Sequence, residues 1–553
     1  MQNMEKITSC KYLENRDSEF CAKDLTTLKT HDLYRLFYPR SVAFVGVSNN
    51  TTYGAASFME AFKSCRYQEF GKIYPINPKY AGEILHGFKC HKSLASLPEP
   101  PDYVLCGIPA NETPELLEQA IEIGVKFFIL FTSGFNETGS DNGAALSEKV
   151  LSMLNSDKNR DIFGNKKLRI IGPNCIGIYN PSGGIAQFYD QNMARNGKIS
   201  ILSQSGGQAS LLINFFSNRG HAIRMCASVG NMLDISISDI LDFYRADPLT
   251  EVIICYIEGF RSNEGRRLIS LIKNISKEKP VLIWKTGQTE DSVAAVSSHT
   301  GALAGNAWIF ESAIKQSGAI LTHSMEGLFD SASSLILSPL PLAGFIKTPA
   351  TAQVESLSKG TRPVSVSDSR EVGLKIGMVI SGGGLSVEVV DTFSSRGLKK
   401  ARFSPSTIQK IAEIIPDVNT FTVNPVDIGE QGYLPEIFKN VLELCAADKN
   451  VNFIVTARET ERFSAFSLWF KTDDIGKKFA EAIKEVYDKY QKPIFIIVPN
   501  IEIDLKAHKE RLAFLKMLRK KNIPSFSTVE GAAIAAASYE IHMKNLTGIC
   551  SSG

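Results

Sequence analysis

Short apolar runs alternate with amphipathic stretches along most of the chain. The run SVAFVGVS at 41–48 is apolar and β-branched, and the spacing of apolar residues in the following YGAASFMEAFKS favours a helix. Similar pairs continue as far as KLRIIGPNCIG at 167–177. Strands that alternate with helices in this way predict a parallel sheet covered on both faces, with ligands bound at the carboxyl ends of the strands.

Two further series of the same kind follow. One begins with KISILSQSGG at 198–207 and the other with KIGMVISGGG at 375–384, and in each a strand runs into a glycine turn that opens a helix. Between them lies a stretch rich in proline, serine and threonine, which is typical of a linker. The sequence therefore predicts an α/β protein of three doubly wound domains. The expected division is a tail at 1–31, domains at 32–190, 196–340 and 372–545, and a linker at 341–371.

Composition and charge narrow the possible partners. The chain has 553 residues, of which 44% are hydrophobic and 22% charged, as in ordinary globular proteins. A formal charge of +3 without a Lys/Arg block indicates neither a nucleic-acid nor a membrane surface. No apolar run approaches a membrane span or a signal peptide, and the ten cysteines show no zinc spacing. A reducing cytoplasm and no bound metal are expected.

His299 lies in VSSHTGALAG, between the apolar run PVLIWKTG and a helix predicted to begin near Ala304. Small residues on both sides leave room for a phosphate on the imidazole. Phosphohistidine is anionic, and the unpaired N–H groups of a helix N-terminus would hold it. The SQSGG and SGGG runs each provide such a turn, although either alone is equally typical of a tight connection. Together with an accessible histidine they favour phosphoryl transfer.

Glu258 follows the apolar run EVIICYI, so it lies at the carboxyl end of a predicted strand. The SQSGG turn and the His299 loop are expected at the same edge of the sheet. A carboxylate bonded to one imidazole nitrogen fixes the tautomer and stabilises the cation that forms when the other nitrogen reacts. The alternative is a surface glutamate that caps a neighbouring helix.

The first glycine loop, VGVSNNTTYG at 45–54, is similar to a dinucleotide-type phosphate loop but lacks the full GxGxxG spacing. A nicotinamide enzyme would also need an acidic residue after the second strand. The run YPINPKY instead puts Lys79 there, where it would meet a phosphate. This favours another phosphorylated adenine carrier.

Taken together, these motifs resemble the nucleoside-diphosphate-forming acyl-CoA synthetases, the family of archaeal ADP-forming acetyl-CoA synthetase, and the related α subunit of succinyl-CoA synthetase. The resemblance covers about Leu33 to His542. Its specific marks, in chain order, are SVAFVGVS, IYPINPKY, SGFNETG, GPNCIG, SQSGG, SVGNMLD, YIEGF and SSHTGALAG. It implies a Rossmann-like CoA-binding domain followed by two flavodoxin-like CoA-ligase domains.

The resemblance also implies roles for particular residues. His299 would be phosphorylated and Glu258 would be its partner. Asn174 and Cys175 would lie beside the CoA thiol and the reacting acyl group. The remaining CoA contacts would be Gly46, Ser48, Tyr53, Asn77, Pro78, Lys79 and Pro109. The phosphate would be held by Ser203, Ser205, Gly206 and Gly207 in one turn and by Gly382, Gly383 and Gly384 in the other.

The ATP-grasp domains that bind ATP or ADP and Mg²⁺ in this family are not visible in the sequence. The resemblance therefore implies a separate ATP-grasp β subunit in an αβ or α2β2 complex, with a small carboxylic acid or its CoA thioester as substrate. Phosphate would convert acyl-CoA into acyl phosphate, His299 would take the phosphoryl group, and the partner would pass it to ADP. The reverse direction would make acyl-CoA from ATP.

Three features depart from the family pattern. Met232 stands where the family has an acidic residue, Asn49 to Thr52 replace a frequent glycine, and 455–470 differs from the usual small-residue stretch. These changes bear on the acyl substrate and on CoA affinity. Two other functions stay open: a non-catalytic acyl-CoA-binding regulatory module, and a CoA or acyl-phosphate transferase that works without a nucleotide.

Overall fold

A computed structural model describes residues 25–261, 264–289, 307–338, 373–416, 418–469, 471, 474–501 and 504–547. The chain divides into two compact units, one up to Met325 and one from Glu326 onward. The predicted linker at 341–371 and most of the predicted tail lie outside the described residues.

The first sheet carries the amino-terminal glycine loop. Its strands are β1 (Ser41–Val45), β2 (Lys72–Ile76), β5 (Tyr103–Cys106), β6 (Phe127–Leu130) and β7 (Arg169–Ile171), beside a small hairpin of β3 (Ile84–Leu85) and β4 (Phe88–Lys89). They pair in parallel in the order β2–β1–β5–β6–β7. The helices of this part are α1 (Thr26–Lys29), α2 (Tyr34–Phe37), α3 (Ala55–Ser64), α4 (Thr113–Ile123) and α5 (Asp141–Asn155). All residues of β1, β5 and β6 are buried, as expected for strands covered on both faces.

The second sheet lies in the same unit. Its strands are β8 (Gly177–Tyr179), β9 (Ile199–Ser203), β10 (Ile223–Ser228), β11 (Val252–Ile257), β12 (Val281–Lys285) and β13 (Ile320–Thr322), in the order β13–β12–β11–β9–β10–β8. Only β8 is antiparallel among these described strands, and it belongs to the stretch predicted as the first domain. The helices are α6 (Gly206–Asn218), α7 (Ile237–Ala246), α8 (Gly265–Ile275) and α9 (Ala307–Gln316). Because β8 follows β7 closely in the chain, the GPNCIG turn connects the first sheet to the second.

The third sheet forms the second unit. Its strands are β14 (Lys375–Ile380), β15 (Lys399–Lys400), β16 (Val426–Asp427), β17 (Phe453–Ala457), β18 (Ile494–Ile497) and β19 (Ser525–Phe526), in the order β15–β14–β17–β18–β19 with β16 on β14. The helices are α10 (Met325–Leu337), α11 (Gly383–Ser395), α12 (Pro405–Ala412), α13 (Pro435–Ala447), α14 (Phe463–Trp469), α15 (Ile475–Tyr490), α16 (Leu505–Lys520) and α17 (Val529–Leu546). All of its described pairings are parallel apart from an isolated bridge between Phe421 and Asp427.

The predicted α/β class with parallel-sheet domains is confirmed. The likeness between the second and third series also extends to their helices, since α6 and α11 each span 13 residues directly after a glycine turn. In α6 the buried positions are Ala209, Leu212, Ile213 and Phe216, the spacing of a single helical face. Among the described helices, none combines the length and the apolarity that crossing a bilayer requires.

Candidate functional site

A cavity of about 210 Å³ lies where the GPNCIG turn meets the carboxyl end of β9. It is lined by Phe131, Asn174, Cys175, Ile176, Gln204, Ser205, Gly206 and Gly207. The structure thus brings the two residues expected beside the CoA thiol together with the first predicted phosphate turn. These groups are far apart in the sequence and meet because β8 joins the second sheet.

The first glycine turn is held in shape by its serines. Ser205 is the N-cap of α6, and its hydroxyl accepts the Gln208 N–H at 3.4 Å. The fully buried Ser203 donates its hydroxyl to the Ser205 carbonyl at 2.7 Å, so its side chain shapes the turn. The N–H groups in the first turn of a helix have no acceptor within the helix. Those of Gly206 and Gly207 belong to residues that line the cavity, and N–H groups of this kind are suited to bind an anion.

Glycine at position 206 allows a close approach between the two turns. A Cβ atom there would lie 3.0 Å from Cγ2 of Ile176, which belongs to the GPNCIG turn. The SVGNMLD segment is even closer, because a Cβ on Gly230 would lie 2.1 Å from the Pro173 carbonyl oxygen. The Leu233 N–H also donates to the Gly172 carbonyl at 2.8 Å. Three of the family motifs therefore pack as one unit around the cavity.

Cys175 is a buried thiol. Its side chain is 2% exposed, and its Sγ lies 3.6 Å from the carbonyl oxygens of Leu130 and Ile171. Burial raises the pKa of Cys175 to about 12, which disfavours the thiolate. Cys175 therefore contributes shape to the cavity rather than a nucleophile.

Glu258 is connected to the first glycine turn through Gln204, which sequence reasoning did not single out. The Oε1 atom of Gln204 accepts the N–H groups of Glu258 at 2.5 Å and Gly259 at 3.0 Å. Its Nε2 donates to Sδ of Met232 at 3.8 Å. Both Gln204 and Glu258 are buried. Met232, the residue that departs from the family pattern, is thus part of the packing that fixes Gln204.

The predicted CoA residues lie at the carboxyl edge of the first sheet. Gly46 has φ +91°, and a Cβ there would lie 2.9 Å from the Gly107 carbonyl oxygen, so the position suits glycine. Asn77 donates through Nδ2 to the Val47 carbonyl at 2.8 Å and accepts the Lys79 N–H at 3.0 Å. These bonds tie the turn after β2, which includes Pro78, to the loop after β1. Lys79 itself is exposed.

The other predicted CoA residues surround this edge. The Ser48 hydroxyl accepts the Asn50 N–H at 3.2 Å and shapes the loop. Tyr53 is 76% exposed, and its ring centroid lies 5.6 Å from that of Phe131, which lines the cavity. Pro109 is exposed just beyond the carboxyl end of β5. The predicted CoA edge and the cavity are therefore neighbours within the first unit.

The second glycine turn differs from the first. Gly382 has φ +117° and caps α11, but its N–H donates to Oδ1 of Asp427 at 2.8 Å. The same oxygen accepts the Gly429 N–H at 3.0 Å. Gly383 and Gly384 are exposed, and a cavity of about 480 Å³ lies at this turn. A carboxylate of the chain itself therefore already uses part of this helix N-terminus.

Arg458 lies beneath the second turn, in the stretch that departs from the family pattern. Its side chain is 2% exposed, its Nη1 donates to Ser381 Oγ at 3.2 Å, and its guanidinium carbon lies 3.5 Å from the Phe438 ring centroid. Within the described part of the chain, Nε and Nη2 have no hydrogen-bond partner. Burial lowers the pKa of Arg458 to about 9.

Comparison with known proteins identifies the family. A CoA binding domain matches residues 40–181, and a succinyl-CoA ligase like flavodoxin domain matches residues 196–335. The ADP-forming acetate–CoA ligase II subunit alpha of Pyrococcus furiosus is 27% identical over 512 residues, 93% of this chain and 98% of that protein. This chain belongs to the ADP-forming acyl-CoA synthetases. The Pyrococcus protein and the Methanocaldococcus protein described next are both CoA ligases, enzymes that form carbon–sulfur bonds.

Another acyl-CoA synthetase relative is longer. The ADP-forming acetate–CoA ligase of Methanocaldococcus jannaschii is 30% identical over 400 residues, which are 72% of this chain and 49% of the relative, so the chain spans about half of it. A solved structure of Candidatus Korarchaeum cryptofilum acetyl-coenzyme A synthetase 1 shares the fold, with a TM-score of 0.75 and 24% identity. That match covers 94% of this chain and 98% of the other.

His299 of this acyl-CoA synthetase chain lies outside the described residues, as does the predicted helix start near Ala304. The described elements on either side are β12, which ends at Lys285, and α9, which begins at Ala307. The strand β12 is the direct neighbour of β11, which precedes Glu258. No cluster of three or more metal-type ligands occurs in the part of the chain that the structure describes.

Proposed function

We propose that the chain is the α subunit of an NDP-forming acyl-CoA synthetase that carries a phosphoryl group on His299. The observation that supports this most strongly is the 210 Å³ cavity, where Asn174 and Cys175 meet the Ser205–Gly207 turn. A thioester carbonyl and a phosphate would be held side by side there. Glu258 directly follows β11, the strand beside β9, and Gln204 joins it to the turn.

The proposed reaction has two steps on this chain. A phosphate oxygen attacks the thioester carbonyl, the carbon–sulfur bond breaks, and CoA leaves as a thiolate that takes up a proton. An imidazole nitrogen of His299 then attacks the phosphorus of the acyl phosphate, and the carboxylate leaves. The N–H groups at the start of α6 stabilise the negative charge of the phosphoryl group in transfer. Glu258 stabilises the positive charge that develops on the imidazole.

An ATP-grasp β subunit that holds ADP and Mg²⁺ completes the proposed reaction. The chain matches nearly the full length of a relative named as an alpha subunit, but about half of the Methanocaldococcus relative. The match to a protein named as an alpha subunit supports a separate partner chain in an αβ or α2β2 complex. The two relatives are named for acetate, so acetyl-CoA is the first substrate to test.

The two proposed steps can be tested without the partner. The purified chain is incubated with acetyl-CoA and ³²P-labelled phosphate, and acid-labile label on the protein is measured. We expect label on the wild type and none on His299→Ala. The matched control is His323→Ala, which removes an exposed histidine of the same unit and should take label normally. Addition of ADP and the β subunit should then move the label to ATP.

Other outcomes would favour other functions. Label that persists in His299→Ala would refute the phosphohistidine assignment. If calorimetry detects CoA binding but a series of acyl-CoA thioesters gives neither label nor free acyl phosphate, the chain is a binding module. Free acyl phosphate without protein-bound label would instead support a transferase that works without a nucleotide.

A further inference from the structure

Lys285 is a buried lysine at the carboxyl end of β12, next to the strand that precedes Glu258. It is 9% exposed, and its Nζ donates to the main-chain carbonyl of Glu258 at 2.8 Å and also to that of Thr286. The Phe310 ring centroid lies 5.9 Å from Nζ. Within the described part of the chain, Lys285 forms no ion pair with a carboxylate closer than 4 Å. One of its three N–H groups is therefore left for a further acceptor.

Burial of this ammonium group is unfavourable. It lowers the pKa of Lys285 from its ordinary value, and the nearby charge of Glu258 opposes the shift. An apolar side chain of similar length would pack at this position without that desolvation cost. Two main-chain carbonyls alone are weak compensation for a buried cation. The charge is therefore better explained by what it does for its neighbours than by fold stability.

We propose that Lys285 is a positioning residue for Glu258. It bonds the main-chain carbonyl of Glu258, whereas Gln204 bonds the N–H of the same residue, and its positive charge interacts with the Glu258 carboxylate over a longer distance. This inference rests on the proposed function, because Glu258 needs fixed geometry only if it acts on a reacting group. Lys285 acts through Glu258 and is not itself a group that touches the substrate.

The other titratable groups that face this position bear on its pH dependence. Tyr256 lies on β11, its hydroxyl accepts the Thr286 hydroxyl at 3.3 Å, and burial raises its pKa. Glu258 follows the same strand. Of Tyr256 and Lys285, only Lys285 has a pKa that burial lowers. When Lys285 loses its proton at alkaline pH, the rate of label formation on the protein should fall.

The test measures the rate of ³²P-label formation from acetyl-CoA and labelled phosphate across pH in the wild type, Lys285→Met and Lys285→Arg. We expect Lys285→Met to be about tenfold slower at neutral pH, since it loses a charge-assisted contact, with an unchanged KM for acetyl-CoA. Lys285→Arg should recover part of the rate and show the alkaline fall at a higher pH, because a guanidinium holds its proton more tightly than an ammonium group does. Lys279→Met is the matched control and should form label at the wild-type rate. Lys279 also donates to main-chain carbonyls, but it lies at the amino end of β12, away from Glu258.

The possible results separate the two proposals. The role of Lys285 would be overturned if the wild type and Lys285→Met formed label at equal rates. It would also be overturned if Lys285→Met and Lys285→Arg were slowed equally at every pH. Absence of label in the wild type with every acyl-CoA thioester of the series would refute the proposed function. In that case urea unfolding still tests Lys285 without turnover. We expect the free energy of unfolding of Lys285→Met to equal or exceed that of the wild type. A clear decrease would show that Lys285 is a structural residue.

Discussion

Gln204→Met removes the shared acceptor of two main-chain donors. The N–H groups of Glu258 and Gly259 both donate to Oε1 of Gln204, which is 3% exposed. A buried donor left without an acceptor costs about 1–3 kcal/mol, so the two together would cost about 2–6 kcal/mol. Gln204 also lines the 210 Å³ cavity, where water can replace part of the lost bonding. We therefore expect a loss of about 2–3 kcal/mol in the free energy of unfolding.

The assay should report on the first unit alone. The sequence has three tryptophans, of which Trp284 and Trp308 belong to the first unit and Trp469 to the second. In a Trp469→Phe background, urea unfolding followed by tryptophan fluorescence therefore reports on the unit that contains Gln204. Trp469 is 77% exposed, so its replacement should be tolerated.

A neighbouring glutamine provides the control for this measurement. The Oε1 atom of Gln208 is buried and has no hydrogen-bond partner in the described part of the chain, so Gln208→Met breaks no bond to Oε1 and should not lower stability. A free energy of unfolding for Gln204→Met within about 0.5 kcal/mol of that control would refute the reasoning, because even one lost acceptor should cost about 1 kcal/mol or more. The label-forming rate should also fall in Gln204→Met, since Glu258 loses one of its two main-chain anchors.

Three further predictions concern buried ionisable groups. Burial lowers the pKa of His542 to about 4, below the 6.5 of an unperturbed imidazole. As the pH falls, the unfolded chain therefore binds a proton at this histidine before the folded chain does. The free energy of unfolding should decrease by about 3 kcal/mol between pH 6.5 and pH 4. In a background where Trp284 and Trp308 are replaced by Phe, urea unfolding followed by the fluorescence of Trp469 should show this loss with His542 present but not in His542→Gln. Arg458→Met should raise the free energy of unfolding by about 1 kcal/mol or more, since it removes a buried cation with two unbonded nitrogens, and a decrease in the same assay would contradict this. In the folded chain, iodoacetamide followed by mass spectrometry should modify the partly exposed Cys65 and leave Cys175 unmodified.

Much of the fold could be predicted because its signals are local. The strand at Ser41–Val45 is apolar throughout, and the glycine turns after β9 and β14 are visible as SQSGG and SGGG. The position of Glu258 follows from a general property of parallel sheets, whose carboxyl ends share one edge. None of these predictions needs knowledge of distant contacts.

The contacts that assemble the site depend on distant parts of the chain. The strand β8 lies close in sequence to the first sheet but pairs with β10 in the second, and no local pattern distinguishes the two possibilities. Gln204 is an ordinary polar residue in the sequence and acquires its role only when β11 lies beside β9. The cavity could not be predicted either, because its walls come from turns that meet only after both sheets have formed.

The two glycine turns illustrate the same limit. Both follow a strand and begin a 13-residue helix, so sequence reasoning treats them as equal anion sites. Both turns open on a cavity, but in the second unit the Asp427 carboxylate accepts the Gly382 N–H. A phosphate at the second turn would meet a fixed negative charge, and one at the first would meet N–H groups in the same cavity as Asn174 and Cys175. What occupies the N–H groups therefore matters as much as the glycines, and the first turn is the stronger candidate to receive the phosphoryl group from acyl phosphate.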